Sequence, residues 1–194
     1  MRARLPSART DSLAFAGGAA GFLRSTILVA TTLLAACTPA NTLQGSLEDE
    51  VSLTFSSVQV QASGSEVSVA YLNPAPGGSG GTGDAGAGSA SDIIIEIAAS
   101  TTGVDLTNGG TLNLLDKLPD GSSRGAVTRA VANDPRRDFA PLTRGTLVFT
   151  ENPTVGAKVT GTFSLLFDAS SSDLGAGRTV YGSFAATVQS PDSM

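Results

Sequence analysis

The residues best placed to do chemistry are five arginines, Arg124, Arg129, Arg136, Arg137 and Arg144, within 21 positions and interleaved with Asp116, Asp120, Asp134 and Asp138. A guanidinium offers a planar fork of donors that meets a phosphate or carboxylate at two points at once. Such a cluster could capture an anionic group of an envelope glycan, and Arg129, Arg136 and Arg137 are the candidate ligand-binding residues. The plainer alternative is a solvated loop held by local Arg–Asp pairs, each contributing little, and the alternating signs favour it. The same aspartates could supply the acid and base of glycoside hydrolysis, where the separation of two carboxyl groups decides their roles. Asp134 and Asp138 are the candidates, because they lie in the least regular segment. Asp168 and Asp173 flank a serine-rich loop. Their spacing matches no calcium-loop pattern, so a turn is expected there. No metal or other cofactor is expected.

Composition narrows the chemistry further. The 194-residue chain has no histidine, so the commonest general base and the commonest transition-metal ligand are missing. Serines are numerous, but none has an evident activating base: histidine is absent and no Ser-x-x-Lys arrangement occurs. Tryptophan is absent and tyrosine occurs twice, so stacking platforms for sugars or bases are scarce. A non-catalytic protein is the expectation, with a carboxylate hydrolase using segment 116–138 as the alternative.

The one cysteine, Cys37, follows the apolar run Ile27-Leu28-Val29-Ala30-Thr31-Thr32-Leu33-Leu34-Ala35-Ala36, with Arg24 just before it. The run has the length of a signal-peptide core and is too short to cross a bilayer as a helix, which takes roughly 17–25 residues. Leu34-Ala35-Ala36-Cys37 resembles the lipobox of bacterial lipoproteins, a branched apolar residue, two small residues and a cysteine. Small neighbours let a transferase reach the thiol and let a peptidase grip an extended segment. The resemblance implies that residues 1–36 are a signal peptide that is removed, and that Cys37 carries acyl chains. It also implies that the membrane is the first partner, reached through that lipid. Thr38 rather than aspartate follows, which in Gram-negative lipoproteins implies the outer membrane. The resemblance covers the export segment alone and names a processing class, not an activity. An ordinary cut after an A-x-A-like site is the alternative processing. Residues 1–23, with Arg2, Arg4, Arg9 and Asp11, make a long front end, and a start nearer Leu23 is expected.

The first 36 residues hold four of the 12 basic and one of the 17 acidic side chains, so the remaining 158 residues carry 8 and 16, a net charge of −8. That size suits one domain. The acidity argues against nucleic acid or anionic lipid as the main partner, leaving an envelope glycan or protein.

The elements that must position these residues read as strands. Residues 37–50 look like a lipidated polar tether ending in Glu48-Asp49-Glu50, and residues 51–190 like the β domain. Val51, Leu53 and Phe55 alternate with polar residues, and Val58 and Val60 continue the alternation after a phase change. A Ser63-Gly64 turn leads to Val67, Val69 and Tyr71, a hairpin pattern. Residues 74–91, nearly all Gly, Ser, Ala and Thr after the prolines, read as a flexible loop. The run Ile93-Ile94-Ile95-Glu96-Ile97 reads as a strand buried on both faces. Asn108-Gly109-Gly110 marks a turn between residues 104–107 and 111–115. A strand is expected over 125–132, a loop over 133–144 and a strand over 145–150. Two long strands should then pair antiparallel: Val159, Gly161, Phe163, Leu165 and Phe167 line one, and Val180, Gly182, Phe184, Ala186 and Val188 the other. About eight or nine short strands and no helical period after the signal helix predict an all-β antiparallel sandwich or small barrel. Together these readings describe a lipid-anchored envelope module, structural or ligand-binding.

Overall fold

Leu114 shows how the sheet closes. Its N–H donates to the Gly145 carbonyl at 2.9 Å, and its own carbonyl accepts from the Gly125 N–H at 3.0 Å. It therefore joins two strands at opposite ends of one long sheet. The computed structural model describes residues 40–74, 91–132, 134 and 138–191. Nine strands run in chain order: β1 Thr42–Gln44, β2 Ser57–Ser63, β3 Glu66–Asn73, β4 Asp92–Ser100, β5 Gly110–Asn113, β6 Gly125–Ala130, β7 Leu142–Phe149, β8 Lys158–Phe167 and β9 Thr179–Gln189. Their spatial order is β5-β7-β8-β9-β2-β3-β4-β6, with β1 also on β9. Every pairing is antiparallel except the short parallel one of β2 with β9, which covers Val60–Val188 and Gln61–Gln189. The result is a nearly closed, all-β barrel.

The last two strands follow their alternation. In β8, Val159, Gly161, Phe163, Leu165 and Phe167 point inward, and in β9 Val180, Gly182, Phe184 and Val188 do the same. The two inward glycines have a steric reason. Gly161 pairs with Phe184 and Gly182 with Phe163 across the ladder. A Cβ at Gly182 would lie 2.8 Å from the Phe163 ring, and one at Gly161 would lie 2.9 Å from Cε1 of Phe184. Each ring lies over a glycine, which fills the barrel without crowding it. Tyr71 stands at the centre. Its ring meets Phe55 at 4.9 Å and Phe163 at 5.7 Å between centroids, and its hydroxyl donates to the Ser183 carbonyl at 2.8 Å. Burial pushes its phenol pKa well above the ordinary value.

The structure departs from the sequence expectations in five places. The expected tether 37–50 is folded from residue 42 onward. β1 pairs Thr42 with Ser183 and Gln44 with Tyr181, and a 3-10 turn, Ser46–Asp49, buries Leu47. The acidic run is clamped there: Arg178 donates to Asp49 at 2.9 Å and to Glu50 at 3.1 Å. Residues 51–55 keep their alternation, with Val51 and Leu53 buried, but form no strand. Ladder bonding begins at Ser57, which explains the phase change before Val58. Ile94 and Ile95 are both buried because a bulge lies there, not because both faces are covered: Tyr71 pairs with Ile95 and Leu72 with Ile93, so Ile94 is the extra residue. The Asn108-Gly109-Gly110 turn exists, with Gly109 at φ 77°, but residues 104–106 form no strand and β5 pairs with β7. Finally β7 begins at Leu142, inside the segment expected to be loop. The hairpin through Gly64 and the strand beginning at Gly125 are as expected. Of the Gly-rich segment 74–91, residues 75–90 lie outside the described residues.

Candidate functional site

Between β5 and β6 the chain makes a small hairpin. Lys117 bridges Ser123, Leu118 N–H donates to Ser122 at 2.9 Å, and Gly121 turns the chain at φ 85°. Asp120 fixes the tip by accepting the Ser122 N–H at 2.9 Å and its hydroxyl at 2.6 Å. The hydroxyl first, and then the N–H, hold the Asp120 carboxyl below its ordinary pKa, so it stays ionised.

Arg124 ends this hairpin and locks it to β4. One guanidinium nitrogen, Nη1, donates to the Ser100 and Thr102 carbonyls, each at 2.9 Å. Its Nε is buried without a hydrogen-bond partner, 3.8 Å from Asp116. The side chain is 9% exposed, so its charge is set inside the wall rather than offered at the surface.

A cleft of about 590 Å³ opens beside the hairpin on the outer side of β3, β4 and β6. Its polar lining comes from Glu66, Ser68, Glu96, Ser100, Ser122 and Arg124, with Asp120 at the tip and Ala98, Ala99 and Ala126 between them. Three carboxylates face one arginine that is already engaged. Such a lining suits a neutral polyhydroxy or cationic group and repels an anion. Sequence reasoning passed over Glu66, Glu96 and Ser68. The available signal was Glu96, the one charge inside the isoleucine run.

Of the three arginines expected to bind an anion, Arg129 alone lies among the described residues. Arg129 points inward from β6 and is 10% exposed. Its Nε meets Asp134 at 3.2 Å and its Nη1 donates to the Ile94 carbonyl at 3.0 Å. Ile94 is the bulge residue, so Arg129 takes up a carbonyl near the irregularity. Arg136 and Arg137 lie outside the described residues, as does Cys37. Arg144 is exposed on β7. Of the four aspartates, Asp116 faces Arg124, Asp134 faces Arg129, and Asp120 alone lines the cleft. The Asp138 carbonyl accepts the Leu174 N–H at 3.1 Å. Asp168 accepts the Ser170 N–H and hydroxyl, and Asp173 accepts the Ser171 hydroxyl, so each shapes a turn. Among the described residues no group of three or more Cys, Asp or Glu is placed to hold a metal ion, and no helix is long and apolar enough to cross a membrane.

No protein-family model matches the chain, and neither does any curated protein or solved structure.

Proposed function

We propose that this protein is a lipid-anchored envelope lipoprotein whose barrel is a non-catalytic structural or binding module at the membrane surface. One observation carries the reading: Leu34-Ala35-Ala36-Cys37 follows a short apolar run, and the folded barrel begins at Thr42, right after it. An acylated cysteine at that point attaches the module without a membrane-spanning helix. Two or more acyl chains, at about 0.8 kcal/mol per buried methylene, make the attachment durable. Thr38 supports the outer membrane as its place. The anchor raises the local concentration of the module near envelope partners. The cleft beside Arg124 is the surface for such a partner, and its acidic, hydroxyl-rich lining favours a neutral glycan or a cationic protein segment.

The internal use of Arg124 and Arg129, each facing its own aspartate, supports a structural role for segment 116–138 over a hydrolytic one. Detergent phase partitioning of cell envelopes tests the anchor. The protein should enter the detergent phase, and the Cys37→Ser protein should leave it for the aqueous phase. Equal partitioning of both would overturn the reading.

A further inference from the structure

The two halves of the barrel differ in charge. Strands β1, β5, β7, β8 and β9 contain no acidic residue, and they carry Arg144 and Lys158. Strands β2, β3, β4 and β6 carry Glu66, Asp92 and Glu96 against the one arginine Arg129. In a chain with net charge −8 after residue 36, five acid-free strands are a local departure. The acidic residues of this half lie beyond the strand ends: Glu48, Asp49 and Glu50 after β1, the last two paired with Arg178, Asp168 and Asp173 between β8 and β9, and Glu151 after β7, whose carboxylate accepts the Thr160 N–H of β8 at 2.8 Å. The outer side of this half also holds Tyr181, one of the two large apolar side chains left exposed among the described residues, at 49%.

The chain enters the barrel on this same side. The Ala40 carbonyl accepts the Ser183 hydroxyl at 2.8 Å, and the Asn41 side chain accepts the Ala185 N–H at 2.6 Å. Ala40 is thus fastened to β9, next to the strand position of Tyr181. Only Thr38 and Pro39 separate it from Cys37. Three peptide units reach about 11 Å at most.

From this we propose that the outer face of β8, β9 and β1 lies on the phospholipid headgroups, with Tyr181 at the interface and the Arg124 cleft turned away from the membrane. The proposal rests on acylation of Cys37. An acyl chain in the bilayer and a link of that reach hold the Ser183 region at the headgroup level. Tyrosine suits that depth, having an apolar ring and a polar tip. Arg144 and Lys158 meet lipid phosphates there, while Glu66 and Glu96 of the other half stay in water.

The test uses the full, acylated protein in vesicles of phosphatidylethanolamine and phosphatidylglycerol, with one exposed position converted to a thiol. Thr162→Cys places it on β8 and Ala126→Cys on β6, both at exposed sites. A membrane-impermeant maleimide should label Ala126→Cys equally in vesicles and detergent, and label Thr162→Cys several-fold more slowly in vesicles alone. Equal labelling of Thr162→Cys in both, with an acylated Cys37 peptide confirmed by mass on the same sample, would overturn the orientation and leave the anchor standing. An unacylated Cys37 peptide would overturn both. Slow labelling in cells but not in vesicles would assign the face to a protein partner and overturn the lipid contact.

Discussion

Gly125 and Leu114 meet where the barrel closes. The glycine N–H donates to the leucine carbonyl at 3.0 Å, and a Cβ on Gly125 would lie 2.7 Å from the Leu114 Cβ. A side chain there forces the seam apart. Gly125→Ala should destabilise the protein by about 1–3 kcal/mol, and Leu114→Ala by about 2–5 kcal/mol through the cavity it leaves. The double variant should lose less than the sum, because removing the Leu114 Cδ2, which would lie 2.6 Å from the new methyl, relieves part of the crowding while the Cβ contact stays. Chemical denaturation of the four proteins gives the coupling, and additive losses would contradict the contact.

The Gly–Phe pairs of β8 and β9 make a parallel case. Gly182→Ala meets the Thr42 backbone carbonyl first and the Phe163 ring at 2.8 Å, and should cost about 1–3 kcal/mol. Adding Phe163→Leu should restore part of it, as thermal unfolding can show.

Tyr71 gives its hydroxyl to the Ser183 carbonyl at 2.8 Å. Tyr71→Phe removes that donor from a part-buried carbonyl and should cost about 1–2 kcal/mol. A change within experimental error would mean that the bond is replaced.

Arg129 is predicted to hold the fold rather than a ligand. Arg129→Ala removes donors to Asp134 and to the Ile94 carbonyl, and should cost about 1–3 kcal/mol. Retention on envelope glycans should be unchanged for any folded variant. Lost retention with unchanged stability would return Arg129 to the ligand site.

Four exposed carboxylates are held below their ordinary pKa by neighbouring donors. The Thr150 hydroxyl, then the Thr160 N–H, acts on Glu151; the Ser170 N–H, then its hydroxyl, acts on Asp168. The Thr107 hydroxyl and N–H lower Asp105, as those of Ser122 lower Asp120. A carboxylate with a lowered folded pKa stabilises above its unfolded pKa, and the gain is lost as pH falls through the folded value. The unfolded values are 3.8 for aspartate and 4.5 for glutamate. Tm should therefore be flat from about pH 7 to 5 and fall below about pH 4.5. Replacing the four by Asn or Gln should flatten that fall, and an unchanged profile would contradict it.

The long strands were legible because their signal is local. Val159, Gly161, Phe163, Leu165 and Phe167, and Val180, Gly182, Phe184, Ala186 and Val188, recur at every second position, and the matched glycines announced close approach. β1 was not legible. Three residues, Thr42–Gln44, carry no period, and their pairing with β9 spans 141 positions between Thr42 and Ser183. The closure at Leu114 is equally remote from any local pattern, and so is the bulge that buries Ile94 beside Ile95. The setting of Arg129 was hidden for a related reason. Spacing put Arg129 among solvent charges, but β6 alternation places it on the inward side with Val127. That alternation was itself readable, and it is the stronger evidence of where a side chain points. The cleft was hidden because Glu66, Glu96 and Ser122 come from three separate segments.

The most direct test of the central claim is the intact mass of the N-terminal peptide from native membranes, beside a Cys37→Ser control. The expected peptide begins at Cys37 and carries added acyl mass, absent from the control. An unmodified peptide that runs through Cys37 from a residue further upstream would contradict the anchor, and with it the membrane-facing side of the barrel.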